Sequence, residues 1–134
     1  MDKRIFTPRT ARECAAVLRP VARIMCRLLR EMDAARSGAG GPDEPVERSY
    51  FSKVEGFLAA RDRIEASGAS VADPRTGLID FPAIRAGKPV FLCWWLGEPT
   101  VAFWHDSEEG FSARRRVDED GPWEEPSPPC AGPE

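Results

Sequence analysis

The chain has 134 residues, 42% of them hydrophobic, and a formal net charge of -3. That is one domain's worth of chain with enough apolar content for a core. The acidic balance argues against a general nucleic-acid binder, which needs an excess of Lys and Arg on some face, and no apolar run approaches the roughly 20 residues that span a bilayer. The opening Met1-Asp2-Lys3-Arg4-Ile5-Phe6 lacks the unbroken apolar block of a signal peptide, so a cytoplasmic location is expected. Apart from Lys3, Lys53 and Lys88 every basic residue is arginine, and Ala, Gly and Pro are plentiful, a composition of GC-rich bacterial genomes. Cys14, Cys26, Cys93 and Cys130 are far apart and form none of the close pairs used by zinc knuckles or redox motifs. They read as reduced packing thiols; one histidine and scattered carboxylates add no ligand spacing, so neither metal nor cofactor is expected.

Thr7-Pro8 is a helix start, a hydroxyl N-cap followed by proline at the first helical position. Ala11, Cys14, Leu18, Val21, Met25, Leu28 and Met32 recur at three- and four-residue steps and predict a first helix over about 8–35, with a kink at Pro20. Arg9, Arg12, Arg19, Arg23, Arg27 and Arg30 fall on the opposite face. They read as the solvated back of an amphipathic helix; an anion- or RNA-binding ridge is the sharper alternative, opposed by the lack of interleaved aromatics. A Gly- and Pro-rich connector over 37–45 leads to a second helix over about 45–67, marked by Tyr50, Phe51, Val54, Phe57, Leu58 and Ile64 and stopped by Gly68. The two should pack as an antiparallel hairpin.

From Ala69 the period becomes strand-like. Ser70-Val71-Ala72 and Leu78-Ile79-Asp80-Phe81 flank a turn at Asp73-Pro74-Arg75-Thr76-Gly77, and Ala86-Gly87-Lys88-Pro89 turns the chain again. The aromatic runs Val90–Leu96 and Thr100–Asp106, separated by Gly97-Glu98-Pro99, read as a hairpin that carries three of the four tryptophans and the only histidine. A last extended piece over 112–117 closes the sheet. From Asp118 onward Asp, Glu, Pro and Gly dominate, so 118–134 is expected to be a disordered tail. Helices first and strands afterwards give an α+β domain over 1–117: a helical hairpin packed on a small, mainly antiparallel sheet.

Gly77-Leu78-Ile79-Asp80-Phe81-Pro82, Leu92-Cys93-Trp94-Trp95-Leu96-Gly97-Glu98, Trp104-His105-Asp106 and Gly110-Phe111-Ser112-Ala113-Arg114 closely resemble the motifs of a bacterial domain family of unknown function. The family's pattern runs Gly-Leu-Val-Asp-Phe-Pro, then Leu-Cys-Trp-Lys-Leu-Gly-Glu, then Trp-His-Asp or Trp-His-Glu followed by Gly-Phe-Ala-Gly-Arg-Gln. Trp95, Ala113 and Arg115 depart from it, standing where the family has lysine, glycine and glutamine. The resemblance implies a helical hairpin on a sheet and no particular activity.

His105 is the one side chain whose ordinary pKa lies near neutrality, and it reads either as an acid-base group or as a strand-end histidine hydrogen-bonded to backbone. Alternation puts Val101, Phe103 and His105 on one face of their strand and Ala102 and Trp104 on the other. Asp106 either flanks His105 or, with Glu109, caps a short turn. Glu98 reads as a solvated loop carboxylate or as an acid or base folded back on the aromatics. Asp80, inside an apolar strand, needs solvent or a partner, and Arg114 is the natural one. Cys93 reads as a buried thiol of raised pKa that packs as a small hydrophobe; a nucleophile would need His105 or an arginine close by to make the thiolate.

The favoured function is an enzyme or enzyme subunit acting on a polar small molecule by acid-base chemistry in a tryptophan-lined pocket, with specialised-metabolite biosynthesis the context its composition fits. His105, Glu98 and Asp80 are its candidate catalytic groups, and Trp94, Trp104, Asp106 and Arg114 its candidate substrate contacts. The alternative is a non-catalytic interaction module. In either case a homodimer or hetero-oligomer is expected, formed through the first helix or the aromatic hairpin.

Overall fold

The computed structural model describes residues 4–37 and 44–128. Two helices, α1 (Pro8–Ser37) and α2 (Glu44–Ala66), precede five strands: β1 (Ser70–Asp73), β2 (Leu78–Arg85), β3 (Lys88–Trp95), β4 (Phe103–Asp106) and β5 (Arg115–Arg116). Thr7 caps α1 through a reciprocal pair, its Oγ1 accepting from the Thr10 amide at 3.3 Å while Thr10 Oγ1 accepts from the Thr7 amide at 2.9 Å. The helix then runs unbroken through Pro20. The α1 stripe is real: Ala11, Cys14, Leu18, Met25 and Met32 are buried, whereas Val21 and Leu28 are half-buried. Lys53 lies beside Glu31, and Gly56 sits where a Cβ would come within 2.9 Å of Leu28 Cδ1, so α1 and α2 run antiparallel in close contact. No helix among the described residues is long and apolar enough to cross a membrane.

The sheet is an antiparallel meander in the order β1-β2-β3-β4-β5. Its tightest reversal is the two-residue turn Ala86-Gly87 between β2 and β3, with φ of 54° and 79°. Two positive φ values are the signature of the type I′ turn, whose twist matches that of the strands. This makes β2–β3 the long central hairpin. The connection around Gly97-Glu98-Pro99, expected to be tight, is instead a longer loop over 96–102.

Pro82 lies within β2, where a missing N–H would break a central ladder. Its backbone faces outward, however, past the end of β1, and its carbonyl accepts from the Phe6 amide at 2.7 Å. Further along this edge the Ile84 carbonyl accepts from the Glu124 amide and the Ala86 amide donates to the Pro122 carbonyl, both at 2.8 Å. The outer edge of β2 is thus closed in turn by β1, the N-terminal segment and the segment after β5.

That last contact differs from the expected tail. Residues 118–128 are seated on the domain, and only 129–134 of the stretch lie outside the described residues. Trp123 supplies the reason. It meets Trp104 edge-on at 6.1 Å, lies under the Arg85 guanidinium, and donates from Nε1 to the Asp118 carbonyl at 2.8 Å. Asp118 binds Arg85, and Glu119 accepts two hydrogen bonds from Arg12 at 2.8 and 2.6 Å. The acidic composition that reads as disorder is the partner of arginines on α1 and β2.

Replacing Ala86, a non-glycine residue at positive φ, by Asn is expected to raise stability by about 0.5–1 kcal/mol in a chemical denaturation midpoint. Ending the chain after Val117 removes half-buried Trp123 and should cost about 2 kcal/mol, roughly 8 °C in a thermal melt. The hydrogen bonds from Arg85 and Arg12 hold the Asp118 and Glu119 carboxyls below their ordinary values. Their stabilisation is therefore complete above the ordinary carboxylate range and lost as pH falls through the lowered folded values. The advantage of the full chain over the truncated one should accordingly shrink in acid, and shrink less in the double variant Asp118→Asn, Glu119→Gln.

Candidate functional site

Alternation along β2, β3 and β4 sorts the sheet into two faces. Ile79, Phe81 and Ala83 with Val90, Leu92, Trp94 and Trp104 enter the core under the helices. Asp80, Cys93 and His105 point to the opposite face, together with Phe91, Trp95 and Phe103. The register brings the three together: Asp80 is opposite Cys93, Cys93 is opposite Phe103, and His105 is opposite Phe91. Asp80 shares the outward parity of Pro82 and Ile84, so its pairing with Cys93 is the non-hydrogen-bonded kind, in which side chains approach most closely. Cys93, between the two longer side chains, is small enough for Asp80 and His105 to meet across it.

One carboxylate oxygen of Asp80, Sγ of Cys93 and a ring nitrogen of His105 all lie within 4.8 Å of one another. Cys93 is fully buried, and the His105 and Asp80 side chains are 6% and 16% exposed. His105 Nδ1 lies 2.8 Å from the Asp106 carbonyl. A carbonyl can only accept, so Nδ1 carries the proton and Nε2 turns toward Asp80 Oδ1, 3.6 Å away. That spacing is beyond ordinary hydrogen-bond length, and Oδ1 is buried without a hydrogen-bond partner. Burial raises the Asp80 carboxyl above its ordinary value, opposed by His105, by the Cys93 thiol and by Arg114. Burial first, then the Asp80 charge, pushes the Cys93 thiol up to about 12.

A second polar layer adjoins the cluster. Both oxygens of Glu98 accept from Arg114 Nη2, at 2.8 and 2.6 Å, and Oε1 also accepts from the Trp95 amide at 2.9 Å. The pair is nearly enclosed, with side chains 16% and 13% exposed. The Arg114 guanidinium lies over the Phe103 ring at 4.1 Å. Glu98 is aimed from the far side of the sheet. Arg19 of α1 donates to the carbonyls of Leu96, Glu98 and Pro99, and Trp94 Nε1 donates to the Glu98 carbonyl. Arg12 donates from Nε to the Val101 carbonyl at 2.9 Å. Two members of the supposed arginine ridge therefore fasten this loop to the helix.

The candidate residues divide accordingly. Asp80 and His105 meet; Glu98 and Arg114 stand beside them as an ion pair, so Arg114's carboxylate partner is Glu98 rather than Asp80. Trp94 and Trp104 lie on the other face in the core, and the aromatic rim of this face is Phe91, Phe103 and Trp95 instead. The Asp106 side chain turns toward Arg115, 3.9 Å away, while its carbonyl orients His105. An open cleft of ≈ 410 Å³ lined by Lys88, Pro89, Asp106, Ser107, Glu108 and Glu109 adjoins Asp106, but the cluster's side chains do not line it. Cys93 is buried as its apolar neighbours suggest, and nothing in its linear spacing from Asp80 or His105 groups the three. The signal available was alternation: with Trp94 in the core, Cys93 must face the other way.

Each motif stretch read in the sequence contributes here: Asp80 from the first, Cys93 and Glu98 from the second, His105 from the third and Arg114 from the fourth. No curated protein and no solved structure matches the chain. The profile of one family, described as an uncharacterized conserved protein (DUF2203), matches residues 4–117, from the segment before α1 through β5. The chain belongs to that family.

Proposed function

We propose that the face of the sheet carrying Asp80, Cys93 and His105 is a working site, and that the chain acts there, alone or as an enzyme subunit, on a polar small molecule by acid-base chemistry. The observation that carries this reading is the fixed imidazole. Any buried histidine needs a partner for its ring N–H, and here the Asp106 carbonyl takes Nδ1–H; what points to chemistry is the second nitrogen, Nε2, turned toward the half-buried Asp80 carboxylate rather than capped by backbone. Asp80, the most exposed of the three, is the group a substrate meets, with Phe91, Phe103 and Trp95 as apolar rim. Glu98, saturated by Arg114 and the Trp95 amide, shapes the site rather than exchanging protons. A biosynthetic setting in a bacterial cytoplasm remains part of the proposal.

A second reading, a dimeric interaction module, draws on a different surface. Val17 and Ile24 on α1 are 63% and 41% exposed, and Phe51 and Leu58 on α2 are 66% and 39% exposed. Each pair is one heptad apart and so lies along one line of its helix, as residues that meet another helix do.

The first reading predicts that His105→Gln, in a chain that keeps its thermal midpoint within a few degrees, reproduces in the host the small-molecule profile of a gene deletion. A deletion with a metabolic effect that His105→Gln does not share would sink it. The second predicts a dimer at micromolar concentration in sedimentation velocity, converted to monomer by Phe51→Glu; a monomeric wild type would remove it.

A further inference from the structure

We propose that Asp80, Cys93 and His105 bind a zinc ion, through a carboxylate oxygen, the Cys93 thiolate and His105 Nε2, leaving a fourth position open. The inference rests on the reading of this face as the working site and names what occupies it.

The first argument is electrostatic. With Nδ1–H given to the Asp106 carbonyl, His105 turns its other ring nitrogen, Nε2, toward an Asp80 oxygen 3.6 Å away. Two such groups facing each other in a buried place are joined by a proton or by a metal ion, and Oδ1 of Asp80 has no hydrogen-bond partner of its own. A divalent ion satisfies both. With Asp80 and the Cys93 thiolate it also gives a centre of zero net charge, beside a Glu98–Arg114 pair whose charges likewise cancel, as burial demands.

The second argument is distance. Zinc–ligand bonds of about 2.0–2.3 Å in a tetrahedron place ligand atoms about 3.3–3.8 Å apart. The 3.6 Å between Nε2 and Oδ1, too long for a hydrogen bond, falls in that interval. The Cys93 sulfur is within 4.8 Å of both, reachable by a side-chain adjustment. The third is the surroundings. A ring N–H donated to a backbone carbonyl is the usual outer support of a ligating histidine, fixing its orientation and keeping the other nitrogen bare. A thiolate and an imidazole with one carboxylate favour zinc over magnesium or calcium, which prefer oxygen alone.

On binding, the Cys93 S–H bond breaks, its proton passes to solvent and its electron pair forms the S–Zn bond, with no change of oxidation state. Three protein ligands leave room for water, whose proton the ion makes easier to remove. The acid-base group of the site is then the bound water, with the open position the point where a polar substrate enters.

The test uses the full chain, purified, stripped of metal and titrated with cobalt(II) as a spectroscopic stand-in. One equivalent should produce thiolate-to-cobalt charge-transfer absorption in the near ultraviolet and the intense visible bands of a tetrahedral site, and zinc should displace it. Cys93→Ser should abolish the charge-transfer band, and Asp80→Asn and His105→Gln should each weaken binding by more than about 100-fold, since loss of an outer partner alone costs 10–100-fold. A chain with Cys14, Cys26 and Cys130 changed to Ala should keep the band. A folded wild type without the band, or a band that survives Cys93→Ser, overturns the proposal. Cobalt bound through Cys93 while His105→Gln leaves the host's metabolite profile unchanged upholds the metal and sinks the catalytic reading; an altered profile with no metal bound does the reverse.

Discussion

The register of the β2–β3 hairpin is the constraint on which the rest depends. A two-residue turn at Ala86-Gly87 fixes the pairing of every residue back to Leu78 and Trp95. Because side chains alternate with a period of two, a slip of one residue would put the two strands out of phase, turning either Phe81 or Leu92 and Trp94 out of the core and breaking the pairing of Asp80 with Cys93. The hydrophobic face and the polar cluster therefore hold the register together, one by burial and the other by charge. An unfavourable backbone at Ala86 is tolerated because both faces depend on the turn it makes.

The two faces are covered in different ways. The helices and Trp123 close the core side with apolar surface. The other side is enclosed largely by polar groups, with Arg114 laid over Phe103 and held there by Glu98. Charged groups so enclosed are costly unless each finds a partner, and breaking such a pair typically costs about 3–5 kcal/mol. Hydrophobic burial alone would favour Leu or Val in place of both, so the pair is better explained by what it surrounds than by the stability it adds.

Much of this was legible in the sequence because it follows from local periods. The stripe from Ala11 to Met32, the Thr7-Pro8 start, the Gly68 stop and the opposite faces of Trp104 and His105 are all consequences of a helical or strand repeat. The misreadings concern partners distant in sequence. Glu98 resembles any loop carboxylate until Arg19, 79 residues away, pins its carbonyl and Arg114 takes its oxygens. Residues 118–128 look disordered because composition counts their charges without seeing Arg12 and Arg85. Cys93 is the buried thiol of raised pKa that its place between Leu92 and Trp94 suggests, and what the linear sequence hides is only its company across the sheet, an aspartate on one side and a histidine on the other.

The loop over 96–102 links the two halves of the molecule physically. Its carbonyls face α1, where Arg19 and Arg12 take them, and its one carboxylate faces the cluster. A change on α1 that released Arg19 would leave the helical core intact and still loosen Glu98, and with it the Arg114 guanidinium that flanks Asp80. Arg19, which also lies over the Trp94 ring at 5.1 Å, thus positions a site it never touches. An amphipathic helix whose polar face meets solvent can exchange Arg for Lys freely. A guanidinium serving three carbonyls and a ring cannot, because the ammonium of lysine lacks the planar fork that reaches them together.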